Sequence, residues 1–434
     1  MDYTLLVILI FLIYWTFISI LKRKKRLDGR ITAIGPLLMI RTSKGLNFLE
    51  KLSKNKKFWR TIANLGTPSV FAGMFFMFTL IVLMNAMMIS SPPPPSPVTN
   101  PRNALLIPGV NEYIPLVWGL IGLIVTLIVH EFSHAILCRV ENVKVKALGL
   151  LMILVPIGGF AEPDEKELSG KNSKTTRIQR IRIYSAGVIS NFITATFAFA
   201  IFFILLNSVT PVPGVYVVSV YKDFPAYEAG IREGMSIIKI DGDKVLSIKD
   251  FAEKLRNTTP GQIITVTVLF NDVEREYKVK LTKAPKGDHG FMGVVVKDPT
   301  LTLKVLKRIP EYLYSPQGWL ILIGMPLTFT GFGEDASMCF KPTGFWKNYG
   351  NLIFYLLNVF YWIGWLNFYV GLFNCLPAIP LDGGKVLHEV LAGILTRKFG
   401  EKGENISRTV INFLAIFIFT SIFLSILIPN LRLR

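Results

Sequence analysis

The sequence predicts a polytopic α-helical membrane protein of about six transmembrane helices, with one small β-rich domain inserted between the fourth and the fifth. Hydrophobic residues make up 51% of the 434 residues, charged residues only 18%, and the mean hydropathy is +0.46. So little polar surface cannot cover so much apolar side chain in soluble globules. This composition excludes a soluble enzyme, a disordered chain and a collagen-like fibre. In contrast, the segment 212–283 has the mixed composition of a soluble domain.

Six apolar runs are long enough to span a bilayer at 1.5 Å of helix per residue. They cover residues 3–21, 70–89, 114–137, 183–206, 352–376 and 410–428. The first run is too long for the apolar part of a signal peptide, and basic residues follow it at 22–26. We therefore expect a membrane anchor there, with its N-terminus outside the cell.

The positive charge of the chain is concentrated in alternate loops. The loops 22–66, 138–182 and 383–409 hold 27 of the 48 Lys and Arg residues, whereas the loop 92–113 holds only Arg102. Because cytoplasmic loops of membrane proteins are enriched in Lys and Arg, these three loops are predicted to face the cytoplasm. The net charge of +19 then reflects topology, and no nucleic-acid partner is expected. Three widely spaced cysteines exclude a disulfide framework.

Two further apolar stretches, 147–160 and 319–332, are short and interrupted by Gly and Pro. This pattern is typical of re-entrant segments that are lined by protein. His130 and Asp382 are candidate ligands of one metal ion, for the reasons given below. A crossing at 319–332 would put Asp382 on the opposite face of the membrane from His130. We therefore expect 319–332 to remain on the outer face, as an interfacial or re-entrant element.

The segment 212–283 predicts a small β-rich domain. Strands are expected at 214–220, 235–240, 262–270 and 274–281, with a helix at 247–256. Ser247 predicts the N-cap of that helix, and Asn271-Asp272 predicts a hairpin turn.

Two motifs of this segment resemble the core of a PDZ domain of the kind found in bacterial proteases. They are Pro225-Ala-Tyr-Glu-Ala-Gly230 and Gly234-Met-Ser-Ile-Ile-Lys-Ile-Asp-Gly242. The resemblance implies binding of extended peptides or C-termini. It would put the binding groove between the strand 214–220 and the helix 247–256.

The chemistry of the chain is indicated by the pentad His130-Glu131-Phe132-Ser133-His134 in the third apolar run. Residues four apart share one face of a helix, so both imidazoles can reach one metal ion. Glu131 lies beside them, where it can take a proton from a metal-bound water. The alternative is a polar pair lining a helix contact. It is disfavoured because three ionisable groups inside one apolar run are costly.

Zinc needs a third protein ligand, and four acidic or imidazole side chains are candidates. They are Asp382, His388, Glu389 and Glu162. Asp382 opens the Asp-Gly-Gly sequence at the cytoplasmic end of the fifth run, at the same membrane depth as the histidine pentad. This position favours Asp382, with His388 as the second choice.

Taken together, these motifs resemble the site-2 proteases, a family of intramembrane zinc metalloproteases. The resemblance is carried by the pentad and by the sequence from Asn374 through Leu381-Asp382-Gly383. The sequences 185–191 and 158–162 also resemble family motifs, the second a membrane-embedded loop. The PDZ-like insert is typical of the bacterial and archaeal branch.

The resemblance implies a role for each matching residue. His130, His134 and Asp382 would hold one zinc ion per chain, and Glu131 would activate the water. The substrate would be held by Asn374, Asn191, Gly159 and Phe160.

The implied function is hydrolysis of peptide bonds within or near the transmembrane helices of single-span membrane proteins, as in regulated intramembrane proteolysis. The substrate helix must unwind first, because its carbonyl groups are hydrogen-bonded and shielded. The protein would be a multi-pass protein of the cell membrane, with the active site near the cytoplasmic face and the PDZ-like domain outside. The alternatives are a non-catalytic PDZ-bearing scaffold and a metal transporter; loss of proteolysis in Glu131→Gln would exclude both.

The predicted division of the chain has five parts. They are an anchor with a basic segment (1–66), helices two to four with the pentad (67–211), the PDZ-like domain (212–300), an outer-face segment (301–349), and helices five and six with the Asp-Gly-Gly sequence (350–434).

Overall fold

The computed structural model describes residues 3–431, apart from residues 25, 28, 44, 92, 105, 154 and 170–172. The helices, in chain order, are α1 (Tyr3–Arg23), α2 (Leu46–Ser53), α3 (Lys56–Ser90), α4 (Leu116–Val140), α5 (Glu165–Leu168), α6 (Arg177–Leu206), α7 (Pro225–Glu228), α8 (Ile248–Arg256), α9 (Pro299–Arg308), α10 (Pro316–Gly324), α11 (Ala336–Cys339), α12 (Leu352–Asn374), α13 (Asp382–Phe399) and α14 (Lys402–Leu431). Short 3-10 turns cover Pro97–Thr99, Pro101–Ala104, Ile309–Tyr312, Met325–Leu327 and Gly344–Tyr349.

The strands, in chain order, are β1 (Ile31–Ile34), β2 (Leu37–Thr42), β3 (Val145–Ile153), β4 (Val155–Pro163), β5 (Val209–Pro211), β6 (Val215–Val220), β7 (Ser236–Ile240), β8 (Asp243–Lys244), β9 (Ile263–Phe270), β10 (Val273–Lys280), β11 (Thr282–Lys283), β12 (Gly290–Phe291), β13 (Val294–Lys297) and β14 (Phe340–Pro342).

Within the described residues, five helices are long and apolar enough to cross a membrane: α3, α4, α6, α12 and α14. They match the second to sixth predicted runs, except that α4 begins two residues after the third run and α12 ends two residues before the fifth run does. The first run is helical as α1, but α1 is not among these five, so the count of six spans stays a prediction. The helix α3 begins well before its apolar run, because Asn55 caps it by accepting a hydrogen bond from the Phe58 amide at 3.1 Å.

The described chain divides into two compact units, Met1–Ala198 with Trp362–Arg434, and Phe199–Tyr361. The first unit contains an antiparallel four-stranded sheet in the order β1-β2-β3-β4, and α4 packs on β4. The apolar stretch 147–160 therefore forms the β3–β4 hairpin of this sheet; its depth in the membrane stays a prediction. The strands β1 and β2 come from the basic N-terminal segment, where the sequence predicted no strand.

The second unit contains a six-stranded sheet in the order β10-β9-β7-β6-β13, with β8 paired to β7. Its buried core includes Val217, Ile237, Phe251 and Val266. The predicted strands and helix are confirmed. Ser247 accepts a hydrogen bond from the Asp250 amide at 3.1 Å, which confirms the predicted N-cap.

The predicted hairpin turn is confirmed as well. Asn271 and Asp272 both have positive φ, as a two-residue hairpin turn of the primed type requires.

The stretch 319–332 contains most of α10 and the 3-10 turn that follows it. The nine residues of α10 extend about 13 Å, too short to cross a bilayer. The location of this stretch on the outer face stays a prediction.

Candidate metal centre

The helix α4 presents its two histidines on one face. His130 and His134 are one turn apart, and their Nε2 atoms lie 3.2 Å from each other. Their side chains are only 10% and 14% exposed. Two nitrogen donors that converge in an apolar surrounding form the start of a metal site, as predicted from the four-residue spacing.

Asp382, the first residue of α13, completes a three-membered cluster. Its Oδ2 atom lies 3.0 Å from His134 Nε2 and 3.2 Å from His130 Nε2. Tetrahedral zinc with ligands at about 2.0–2.1 Å has its ligand atoms about 3.3 Å apart. The three atoms are therefore close enough together that they would hold one zinc ion as protein ligands.

Two glycines bring Asp382 to this place. A Cβ atom on Gly383 would collide with the Cys375 carbonyl oxygen, and one on Gly384 would collide with the Ala378 carbonyl group. Because both glycines lack side chains, the start of α13 can pack directly on the loop that follows α12. In the sequence Asp-Gly-Gly, the aspartate thus supplies a candidate ligand, and the two glycines permit the close packing that places it.

Glu131 lies between the histidines and the sheet. Its Oε2 atom accepts a hydrogen bond of 2.9 Å from the Ala161 amide of β4. A Cβ atom on Gly159 would lie 2.8 Å from Glu131 Cγ, so glycine at this position leaves room for the glutamate. The strand β4 therefore fixes one carboxylate oxygen of Glu131 beside the metal cluster.

The helix α6 supports the histidines. The Ile183 carbonyl oxygen lies 2.7 Å from His134 Nδ1, and Asn191 Nδ2 lies 3.1 Å from His130 Nδ1. A Cβ atom on Gly187 would lie 2.5 Å from His134 Nε2 and 2.6 Å from His130 Nε2. Any side chain at residue 187 would therefore enter the space between the two rings.

Buried ion pairs hold these helices together. Arg180 of α6 makes two hydrogen bonds to Glu389 of α13, at 2.7 and 2.9 Å. Glu141, at the end of α4, accepts hydrogen bonds from Arg60 of α3 and Arg182 of α6. Burial alone would raise the pKa of Glu141, but its hydrogen bonds outweigh burial and hold that pKa below its usual value. Glu141 therefore stays charged, and both glutamates join neighbouring helices to each other.

The other three candidates for the third ligand lie outside the cluster. Glu162 pairs with Arg41 at 2.9 Å, Glu389 pairs with Arg180, and His388 Nε2 lies 3.6 Å from Glu404. The cluster of donor atoms found within the described residues contains His130, His134 and Asp382.

The predicted substrate-binding residues have different surroundings. Gly159 and Phe160 both lie on β4; Gly159 lies beside Glu131, whereas the Phe160 ring lies over Gly149 and next to Arg41. Asn374 donates a hydrogen bond of 3.1 Å to the Val370 carbonyl group of its own helix. Asn191 contacts His130 and is fully buried, so this structure gives it a contact at the metal cluster, which the prediction did not include.

Sequence reasoning missed Lys385, which lies one turn after Asp382 on α13. Its Nζ atom is 3.4 Å from Asp382 Oδ1, the carboxylate oxygen that does not face the histidines. The three-residue spacing on a helix was the available signal. The sequence analysis also assigned no role to Gly187, although it noted the motif 185–191 that contains this residue.

Comparison with known protein families identifies the chain. The profile of Peptidase family M50 matches residues 118–418, which include the pentad and Asp382. The chain belongs to peptidase family M50. The predicted resemblance to the site-2 proteases is thereby confirmed, and the protein is a metalloprotease with zinc as its cofactor, in agreement with the cluster of two histidines and one aspartate. Its apolar helices make it a membrane protein.

Relatives of this M50 peptidase cover most of its length. An uncharacterized protein of Methanocaldococcus jannaschii is 27% identical over 385 residues, 88% of this chain and 84% of that protein. A protein of Clostridium perfringens, named as a candidate zinc metalloprotease, is 25% identical over 311 residues, 66% of this chain and 90% of that protein. Among solved structures, the PDZ domain of an SdrC-like protein from Listeria monocytogenes is 26% identical, with a TM-score of 0.19, over 20% of this chain and 90% of that domain.

Proposed function

We propose that this M50 peptidase is an intramembrane enzyme that hydrolyses peptide bonds within or near the transmembrane helices of single-span membrane proteins. The observation that carries the proposal is the cluster of His130, His134 and Asp382, whose two histidines lie with Glu131 on α4, a helix of membrane-spanning length. Such a cluster serves hydrolysis, because it leaves one coordination position for water.

His130, His134 and Asp382 would hold the zinc ion, which polarises a substrate carbonyl group and lowers the pKa of water when bound. Glu131 takes a proton from the attacking water and returns it to the leaving amine nitrogen. The hydrogen bond from the Ala161 amide keeps one oxygen of Glu131 occupied. The second oxygen then remains for the proton transfer.

The strand β4 is the proposed binding edge for the substrate. It is an outer strand of the four-stranded sheet and pairs with β3 alone among the described strands. An unwound substrate segment would add to this edge in an extended conformation, near Gly159, Phe160 and Glu131. Unwinding is required because helical carbonyl groups are already hydrogen-bonded. A role for Asn374 in substrate binding stays a prediction.

We propose that the six-stranded sheet binds extended peptides and tunes substrate choice, as its PDZ-like motifs imply. The predicted location of the peptide groove, between the strand 214–220 and the helix 247–256, is wrong. The strand β6 is already paired with β7 on one side and with β13 on the other. Strand addition needs an open edge, and β13 is the outer strand on this side within the described residues. The proposed peptide therefore lies along β13.

We propose that the metal cluster lies near the cytoplasmic face of the cell membrane and that the PDZ-like domain lies outside. This orientation is supported by the Lys and Arg bias of the loops. Cysteines introduced at Ser315 and Ser337, in a background without the native cysteines, should both react with an impermeant thiol reagent added outside. Reaction of the two from opposite sides would contradict this topology.

Glu131→Gln tests the proposed chemistry. Purified protein in proteoliposomes would be incubated with a model single-span substrate, and cleavage would be followed by mass spectrometry. The variant should keep one zinc per chain and lose about 10²–10⁴-fold in cleavage rate, because an amide cannot accept the proton. Glu50→Gln, which alters a carboxylate that is 60% exposed, is the control and should cleave normally. Normal turnover by Glu131→Gln would disprove the proposed base.

A further inference from the structure

One face of α6 lies against both histidines of the metal cluster. Ile183, Gly187 and Asn191 follow each other at four-residue intervals, so they share one side of the helix. Ile183 offers its carbonyl oxygen to His134, Gly187 faces the space between the rings, and Asn191 contacts His130. This face therefore contacts the Nδ1 atom of both imidazoles, on the side away from Asp382.

The contact with Ile183 determines the tautomer of His134. A carbonyl oxygen can only accept a hydrogen bond, so the partner atom His134 Nδ1 must carry the proton. His134 Nε2 then presents its lone pair to the metal position. His130 needs the same arrangement, because an imidazole nitrogen that carries a proton cannot bind a metal ion.

Asn191 can provide this arrangement for His130. Its amide is fully buried, and its Oδ1 atom has no hydrogen-bond partner among the described residues. Nδ2 faces His130 Nδ1 at 3.1 Å. A half-turn of the amide exchanges its two nearly isosteric ends, so that Oδ1 accepts a hydrogen bond from His130 Nδ1–H. His130 Nε2 is then free to bind the ion. Nδ2 moves to the position where Oδ1 had no partner, so the need of a metal ion for an unprotonated Nε2, and not the number of hydrogen bonds, favours this orientation.

We propose that Asn191 is a positioning residue of the metal centre, and that Gly187 keeps open the volume that the zinc ion occupies. This inference rests on the proposed zinc cluster and assigns to Asn191 a hydrogen bond with a ligand in place of a contact with substrate. Partners of this kind fix the ring and raise its basicity, and their removal typically lowers metal affinity about 10–100-fold.

The proposal is tested by zinc titration of the purified full chain against a competing chelator. Asn191→Ala should bind zinc about 10–100-fold more weakly than wild type. Asn191→Asp should restore most of that affinity, since a carboxylate accepts the same hydrogen bond. Ser190→Ala is the matched control. The Ser190 hydroxyl bonds the Val129 and Gly187 carbonyl groups, and no hydrogen bond joins it to either histidine. It should bind zinc like wild type.

Gly187→Ala separates metal binding from folding. The added Cβ would lie 2.5–2.6 Å from atoms of both imidazole rings, so the rings must shift even without metal. The melting temperature in excess chelator measures this cost separately from the loss of zinc. The added methyl group lies where the ion would, so zinc affinity should drop by at least as much as in Asn191→Ala. Binding of Co²⁺ gives a second signal, because its visible spectrum reports the ligand geometry.

The results distinguish this inference from the proposed function. If wild type fails to bind one zinc ion, the zinc cluster itself is disproved. If wild type binds zinc and Asn191→Ala binds it equally well, only the role of Asn191 is disproved. An Asn191→Asp variant as weak as Asn191→Ala would show that packing, and not the hydrogen bond, explains the loss. Wild-type affinity in Gly187→Ala would overturn the role of Gly187.

Discussion

The four-stranded sheet of β1–β4 packs against the membrane helix α4, whereas the six-stranded sheet encloses an apolar core of its own. Val217, Ile237 and Val266 are fully buried inside the six-stranded sheet. The hairpin β3–β4 instead carries glycines at Gly149 and Gly159, which leave room for Phe160 and Glu131. The glycines of the four-stranded sheet let its backbone lie close to Glu131 at the cost of side-chain packing. The six-stranded sheet keeps the side-chain packing that an independent domain needs.

The charged residues of the two regions differ in the same way. Around the metal cluster, the side chains of Glu141 and Glu389 are 0% and 8% exposed, and each is held by arginines. In the second unit, pairs such as Lys249–Glu253 lie on the surface, with side chains 87% and 57% exposed. Exposed pairs contribute about 0–1 kcal/mol, whereas breaking a buried pair costs about 3–5 kcal/mol. Buried ion pairs therefore fix the helices of the metal centre, and an apolar core fixes the second region.

The largest effect is expected from Asp382→Ala, which removes a ligand from the first region. Zinc affinity should fall by on the order of 1,000-fold or more, because one of three protein ligands is lost. Cleavage should be lost with it. His388→Ala is the control, since His388 lies outside the cluster. Metal analysis of both purified variants checks this, and full zinc retention in Asp382→Ala would mean that another group is the third ligand.

A smaller effect is expected from Gly159→Ala, which alters the sheet of the first region without touching a ligand. The new methyl group would press on Glu131 Cγ and displace the carboxylate. A displacement of about 1 Å can cost about 10²-fold in rate, so cleavage should fall about 10–100-fold with zinc retained. Gly29→Ala is the control, because an added Cβ there meets nothing within 4 Å. Equal cleavage rates of Gly159→Ala and Gly29→Ala would show that β4 does not position Glu131 for the reaction.

The smallest effect on chemistry is expected from Ile237→Ala in the core of the six-stranded sheet. Ile237 is fully buried, so its truncation should destabilise that domain by about 2–5 kcal/mol. Hydrogen exchange should show faster opening of β6, β7 and β9, together with weaker binding of extended peptides. Zinc content and cleavage of a minimal transmembrane peptide should not change. Loss of zinc in this variant would contradict the conclusion that the six-stranded sheet is stabilised independently of the metal centre.

The sequence by itself determined the parts of this protein that depend on local spacing. Apolar runs indicated the spanning helices, alternating residues indicated the strands of the six-stranded sheet, and the pentad indicated two ligands on one helical face. Asp382 was also selected from the sequence, because the predicted order of spans puts it at the predicted membrane depth of His130 and His134. These inferences need only the period of a helix or strand and the thickness of a bilayer.

Only the tertiary structure decided which distant residues meet. The alternation of residues within β2 does not show that it pairs with β3, which follows about a hundred residues later. In the same way, nothing local shows that β13 pairs with β6, at the other end of the PDZ-like segment. The sequence 185–191 of α6 stood out as a motif, but no spacing within it showed that this face contacts the histidines. Asn191 and Gly187 gain their meaning from the packing of α6 on α4, which brings a buried amide and an empty volume to the same metal position.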